Sequence, residues 1–258
     1  MTALAAIAAN TFREAVRDRV LYLILFFAVL IILGSEALAV LAVGSPEKVV
    51  LDLGLAAISF FGVLISVFLA LSLVAKEIDR RTVYTVVTKP ISRGHFVSGK
   101  LAGMYAVVVL VTAAMTALFL GFVWLRYGIW NAGLLKAVSL FLVEDLVVSS
   151  FALLFSSFTT PILGTVFTIT VYVVGHLLQG LKMLAAFPSL AGSTLEKVLT
   201  FLYDWVLPNL ERFNVKGAAV YGDPLPLSLL LSSAAYGAAY AAAVLGLAVT
   251  IFSRRDFT

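Results

Sequence analysis

The sequence predicts an all-α integral membrane protein of six transmembrane helices, with an N-terminal amphipathic interfacial helix and a short external helix before the last span. Three observations predict it. Of 258 residues, 62% are hydrophobic and 12% charged, where a soluble domain is about half apolar and about one-quarter charged. The apolar residues gather in six runs, each long enough to cross hydrocarbon as a helix. None alternates with period two, as the strands of a membrane barrel do, and lipid offers no other partner for backbone N–H and C=O groups than the helix itself.

The chain reads as one transmembrane domain over 1–258. Residues 1–19 are the interfacial helix: at about 100° per residue Asn10, Arg13, Glu14, Arg17 and Asp18 share a face, and Leu4, Phe12 and Val16 lie opposite among alanines. Such a helix can lie at a membrane surface, or it can extend the first span. The spans are expected at 20–43, 53–75, 102–125, 134–157, 162–181 and 227–252. Five have room to tilt, and the fifth is just adequate. The charged start is no signal-peptide core, and the first run is longer than an h-region, so it reads as a retained span.

Lys and Arg set the orientation. Alternate loops and both termini hold eleven on one side: Arg13, Arg17, Arg19, Lys76, Arg80, Arg81, Lys89, Arg93, Lys100, Arg254 and Arg255. The other side holds seven, several of them in the long 182–226 connection, which counts less. The positive-inside rule therefore puts both termini and the 76–101 loop in the cytoplasm. With no cysteine, disulfides, thiolate metal sites and cysteine nucleophiles are excluded.

Two connections are too long to be plain turns. The cytoplasmic one, KEIDRRTVYTVVTKPISRGHFVSGK at 76–100, mixes charges of both signs, and Pro90 stops any helix at Lys89. Its charges can anchor helix ends, or they can form a docking surface for a soluble partner. The external one, 182–226, has Ser193 and Glu196 at capping-box spacing and Pro208 to close the helix they open. That helix is too short to cross, and is expected at the outer surface or dipping partway in.

Few residues suggest chemistry. Gly94, Gly99 and Lys100 approach a phosphate loop, but Leu101 stands where a hydroxyl must bind Mg²⁺, and the segment opens a membrane helix. Glu144 and Asp145 fall mid-span, where a carboxylate costs about 3 kcal/mol. As neighbours they point about 100° apart and should make different contacts. They read either as a substrate or proton path or as a hydrogen-bonded structural pair. His176 is the histidine inside a span, and an interhelical hydrogen bond is its commonest use. The span hydroxyls, among them Ser59, Ser66, Ser149, Ser150, Thr165 and Thr168, are expected on helix carbonyls or across helices. Gly237 and Ala241 have the small-xxx-small spacing of a close helix contact. No catalytic constellation or metal cluster is recognisable, so no enzyme activity is expected.

These segments together resemble the permease subunit of ABC-2-type ABC transporters, nearest the NosY-like permeases. NTFREAVRDRVLY resembles that family's amphipathic first helix. KEIDRRTVYTVVTKPISRGHFVSGKL is similar to its charged loop, with Glu77, Arg81, Pro90, Arg93, Gly99 and Lys100 at matching places. LLFSSFTTPILG, DWVLPNLERFN and FSRRDF resemble its tight fourth-to-fifth turn, external segment and C-terminal end. The resemblance implies an exporter in a prokaryotic cell membrane, working as a homodimer with a separate cytoplasmic ATPase subunit. ATP and Mg²⁺ would be bound by that partner, and this chain would carry no cofactor. Docking would fall to Arg13, Arg17, Glu77, Arg80, Arg81, Lys89, Pro90, Arg93 and Lys100. The alternatives are a proton-coupled carrier using Glu144, Asp145 and His176, or a non-transporting anchor for an ATP-driven assembly system.

Overall fold

The computed structural model of the protein describes residues 3–40, 44–79, 92–185, 194–201 and 207–254. The described residues form nine α-helices and a 3₁₀ turn, with no strand among them. They are α1 (Ala3–Val16), α2 (Arg19–Ala39), α3 (Pro46–Asp79), α4 (Arg93–Tyr127), α5 (Ala132–Ser156), α6 (Pro161–Ala185), α7 (Thr194–Phe201), the turn Leu210–Phe213, α8 (Lys216–Tyr221) and α9 (Leu227–Arg254). Six of them, α2 to α6 and α9, are long and apolar enough to cross a membrane.

Local chemistry sets the boundaries. Asp18 leaves helical geometry and accepts from Val20 N at 3.1 Å, so α1 and α2 are separate helices and α1 is no simple extension of the first span. Ser92 caps α4 by accepting from His95 N at 3.3 Å. Asn131 caps α5 by accepting from Gly133 N at 2.7 Å. Gly128, at φ 68°, ends α4 in the left-handed conformation a side chain would disfavour. Between α5 and α6 the chain turns in four residues, with Pro161 at the first helical position, where its missing N–H costs nothing.

α3 and α5 form the centre. Of their membrane-crossing windows 72% and 67% are buried, against 22% for α6 and for α9. Lipid is as apolar as leucine, so shape complementarity drives this packing. The Phe119 ring of α4 sits in a notch that exists because residue 54 of α3 is glycine. Gly237 of α9 likewise admits Val143 of α5 and the Phe213 ring. The neighbour that the Gly237 and Ala241 spacing calls for is thus α5 of the same chain.

α1 lies lengthwise on the start of α4, and the two run in the same sense. Gly99 faces Ile7 and the Leu4 carbonyl, and Gly103, one turn on, faces Thr11 and the Ala8 carbonyl. At the opposite end of the bundle, the end of α2 meets the end of α4. There Glu36 accepts from Arg126 Nε at 2.8 Å and from the Tyr127 hydroxyl at 2.7 Å.

Candidate functional site

The 207–226 segment does not stay on the surface. Pro208, Leu210 and Phe213 are buried, and both Leu210 and Phe213 are fully so. A Cβ on Gly175 of α6 would come within 2.9 Å of the Pro208 carbonyl and 2.8 Å of Leu210, so glycine there lets the segment reach the helix. The Tyr236 hydroxyl of α9 accepts from Asn209 N at 2.9 Å. Asn131 and Lys136 donate to the carbonyls of Ala219 and Leu225 at 2.9 and 2.8 Å, which stitches the return path to α5.

This descent delivers Glu211 to the middle of the bundle. His176 Nδ1 lies 3.1 Å from Glu211 Oε2, and its Nε2 lies 2.7 Å from Glu144 Oε1. Asn214 Nδ2 donates to the other Glu211 oxygen at 2.9 Å. The Tyr172 ring meets the imidazole edge-on at 4.8 Å, and its hydroxyl pairs with Ser59 of α3. Glu144 is about 18 Å along α5, and His176 about 22 Å along α6 from its opposite end. The cluster therefore sits near mid-depth and joins α3, α5, α6 and the 3₁₀ turn. Carboxylates accept and do not donate. His176 satisfies both partners only as a donor at both nitrogens, or with one carboxyl holding a proton.

Asp145 faces elsewhere, as its offset from Glu144 requires. It is 1% exposed, its oxygens crowd Gly62 of α3, and neither has a hydrogen-bond partner. A Cβ on Gly62 would stand 2.7 Å from Oδ2. Tyr105 of α4 donates to the Leu142 carbonyl at 2.9 Å, three residues before Asp145. Among the described residues no set of three His, Asp or Glu side chains is arranged to hold a metal.

The docking residues read from the sequence are placed unevenly. Arg13 is exposed on α1, and Arg17 is exposed in the turn just after it. Arg93 is the first residue of α4 and Glu77 lies in the last turn of α3, with side chains that are not described. Arg80, Arg81, Lys89 and Pro90 lie outside the described residues. Lys100 is 4% exposed, with its Nζ 5.0 Å from the Phe96 ring centre, so it is buried while Arg13 and Arg17 are exposed.

Sequence reasoning joined Glu144 and His176 by type alone and missed Glu211, Asn214 and Tyr172. Glu211 stood in a segment read as external. The available signal was Leu210 and Phe213 flanking it, too apolar for a solvated loop. A family model described as "ABC-2 family transporter protein" matches residues 5–257. No curated protein matches the chain.

Proposed function

We propose a mechanism from the premise that the chain belongs to the ABC-2 transporter family, as a membrane permease component of an ABC transporter. The finer reading is an exporter of the NosY-like kind in a prokaryotic cell membrane, with both termini cytoplasmic. Two copies of this chain pair with two cytoplasmic ATPase subunits, which bind ATP and Mg²⁺. This chain supplies the path and no catalytic step.

The observation that carries this reading is the seam between α1 and α4. The exposed Arg13 on α1, and Arg17 just after it, adjoin the seam that packs α1 against a membrane-crossing helix at Gly99 and Gly103. The charged 80–91 segment enters α4 at that same end. A soluble motor gripping α1 and this loop would push directly on α4, without a flexible link between. Complementary charge would set the register of such docking.

The test is co-purification with an ABC-type ATPase subunit produced together with this chain. Reversing charge at both sites, Arg81→Glu with Arg93→Glu, abolishes recovery of the ATPase while leaving membrane insertion intact. Undiminished recovery would overturn the assignment. A second reading, a proton-coupled carrier, is favoured by the mid-depth Glu144–His176–Glu211 chain, whose three groups can pass a proton. It requires solute movement by the isolated chain under a pH gradient alone. The third reading, an anchor for an ATP-driven assembly system, keeps the ATPase partner but shows no solute movement with ATP present.

A further inference from the structure

Arg212 directly follows Glu211 in the 3₁₀ turn, but the two side chains diverge. Glu211 points inward, with one oxygen at His176 and the other accepting from Asn214. Arg212 turns to α9. Its Nε donates to Ser233 Oγ at 3.3 Å and its Nη2 to Ser232 Oγ at 3.1 Å. The guanidinium also lies 5.4 Å from the centre of the Tyr236 ring, whose hydroxyl accepts from Asn209 N. Ser232 gives its own proton to the Leu229 carbonyl at 3.1 Å, so its oxygen is an acceptor for the arginine. Ser233 is fully buried. Two hydroxyls and one aromatic face thus fix the guanidinium on α9.

Nε and Nη2 form one edge of the planar guanidinium. The other edge, Nη1 with the second proton of Nη2, has no partner among the described residues. No carboxylate among them lies within ion-pair distance of Arg212. The acid next to it in the chain, Glu211, is turned to His176. Arg126 is different, because its exposed guanidinium is paired with Glu36.

Depth makes the missing anion matter. Ser232 and Ser233 stand about 8 Å from the start of α9, and Tyr236 about 14 Å. α9 is apolar enough to cross a membrane over Leu227–Arg254, a length of about 42 Å against about 30 Å of hydrocarbon. The cation therefore lies near the edge of the hydrocarbon, within a side chain's reach of the headgroups. It is nonetheless exposed, on a stretch of α9 whose Leu227, Leu229 and Leu231 are exposed too. An unpaired charge in that layer is costly, and the anion a bilayer offers at that level is the lipid phosphate.

We propose that the free edge of Arg212 binds a phosphate oxyanion, with Ser232, Ser233 and Tyr236 holding the guanidinium in place for it. Two phosphate oxygens match the two parallel N–H groups of that edge. The exposed leucines beside it suit the acyl chains of an anionic phospholipid, and a soluble phosphate ester presents the same oxygens. The site goes beyond the transporter reading and does not rest on the ATPase. A permease that fails to recover its ATPase can still bind phosphate, so the two readings fail separately.

The full chain, delipidated in a neutral detergent and unfolded by heat under tryptophan fluorescence, tests it. Phosphatidylglycerol is compared with diacylglycerol, which has the tails and no phosphate, and with glycerol phosphate, which has the phosphate and no tails. Phosphatidylglycerol at about ten times its Kd raises the midpoint by about 3–5 °C, saturably, and diacylglycerol does not. A shift from glycerol phosphate as well identifies a soluble phosphate ester as a ligand, and its absence identifies the lipid. Equal midpoints with and without both phosphates overturn the site. Arg212→Gln removes the charge and weakens the apparent affinity at least about tenfold. Arg212→Lys keeps the charge without the fork and restores part of the loss. Arg126→Gln removes a charge at the end of the bundle and leaves the affinity unchanged. If Arg212→Gln does not fold, Ser232→Ala with Ser233→Ala decides, because it loosens the guanidinium and weakens the affinity about three- to tenfold. Equal losses in Arg212→Gln and Arg126→Gln would show attraction to net charge alone and overturn the site, as would unchanged affinity in the double serine variant.

Discussion

The α1–α4 seam and the His176 cluster both depend on glycine, but they use it differently. At Gly99 and Gly103 the missing side chains bring two helices together along an apolar line, and the contact repeats every four residues. At Gly62 and Gly175 they admit something that is not a regular helix partner, a carboxylate and a descending loop, while Gly237 admits both Val143 of the neighbouring α5 and the Phe213 ring. The first arrangement packs two helices side by side over more than a turn. The second holds polar groups in the interior, where their partners must be exact in number because neither water nor lipid supplies any. The seam should therefore tolerate polar change and fail on added bulk, while the cluster should fail on lost partners.

The largest effect expected is at His176. His176→Ala leaves Glu144, whose side chain is 2% exposed, as a buried group with no counterpart, at a cost of about 3 kcal/mol. His176→Gln keeps a donor to Glu144 and costs about 1 kcal/mol. Thermal midpoints of both variants in nanodiscs measure the difference, and equal midpoints would remove the cluster's structural role. Next is Gly103→Leu, whose Cβ would lie 2.5 Å from the Ala8 carbonyl. Backbone cannot yield as a side chain can, so α1 separates at a cost of about 1–3 kcal/mol. A disulfide between cysteines placed on α1 and α4 reads this directly, forming in the parent and not in the variant.

Gly175→Leu is expected to be similar or slightly smaller, because Leu210 can shift although the Pro208 carbonyl cannot. Its signature is faster amide exchange over 208–221 with the six long helices unchanged. Uniform exchange in both proteins would mean that Gly175 does not seat the segment. The smallest effect belongs to Arg126→Ala. Its ion pair with Glu36 sits at the rim of the bundle with the arginine side chain 61% exposed, and exposed pairs add little. The midpoint should not move measurably. A clear loss would show that the far ends of α2 and α4 are held more tightly than their exposure implies.

Part of the cluster was legible in the chain itself. Glu144 and Asp145 announce themselves because carboxylates in an apolar run are costly, and the 100° offset already separates their contacts. The role of Gly237 followed from a four-residue spacing that any close helix pair shares. Gly99 and Gly103 carry that same spacing, yet the sequence reading divides them between the charged 76–101 loop and the 102–125 span, because α4 begins earlier than its apolar run suggests. Glu211 was out of reach. Leu210 and Phe213 beside it argue against a solvated loop, but nothing within the segment fixes which helix its carboxylate meets.

The sequence by itself determined what depends on composition and on periods of a few residues. That covers the helical class, the six long apolar helices and the placing of carboxylates within an apolar run. Each follows from an interaction local in the chain or from the bilayer's demand on backbone groups. Only the tertiary structure decided that Glu144, His176 and Glu211 meet, that the 207–226 segment descends, and that Asp145 packs against Gly62. Those outcomes depend on which helix stands beside which, and contacts across tens of residues leave no period to read.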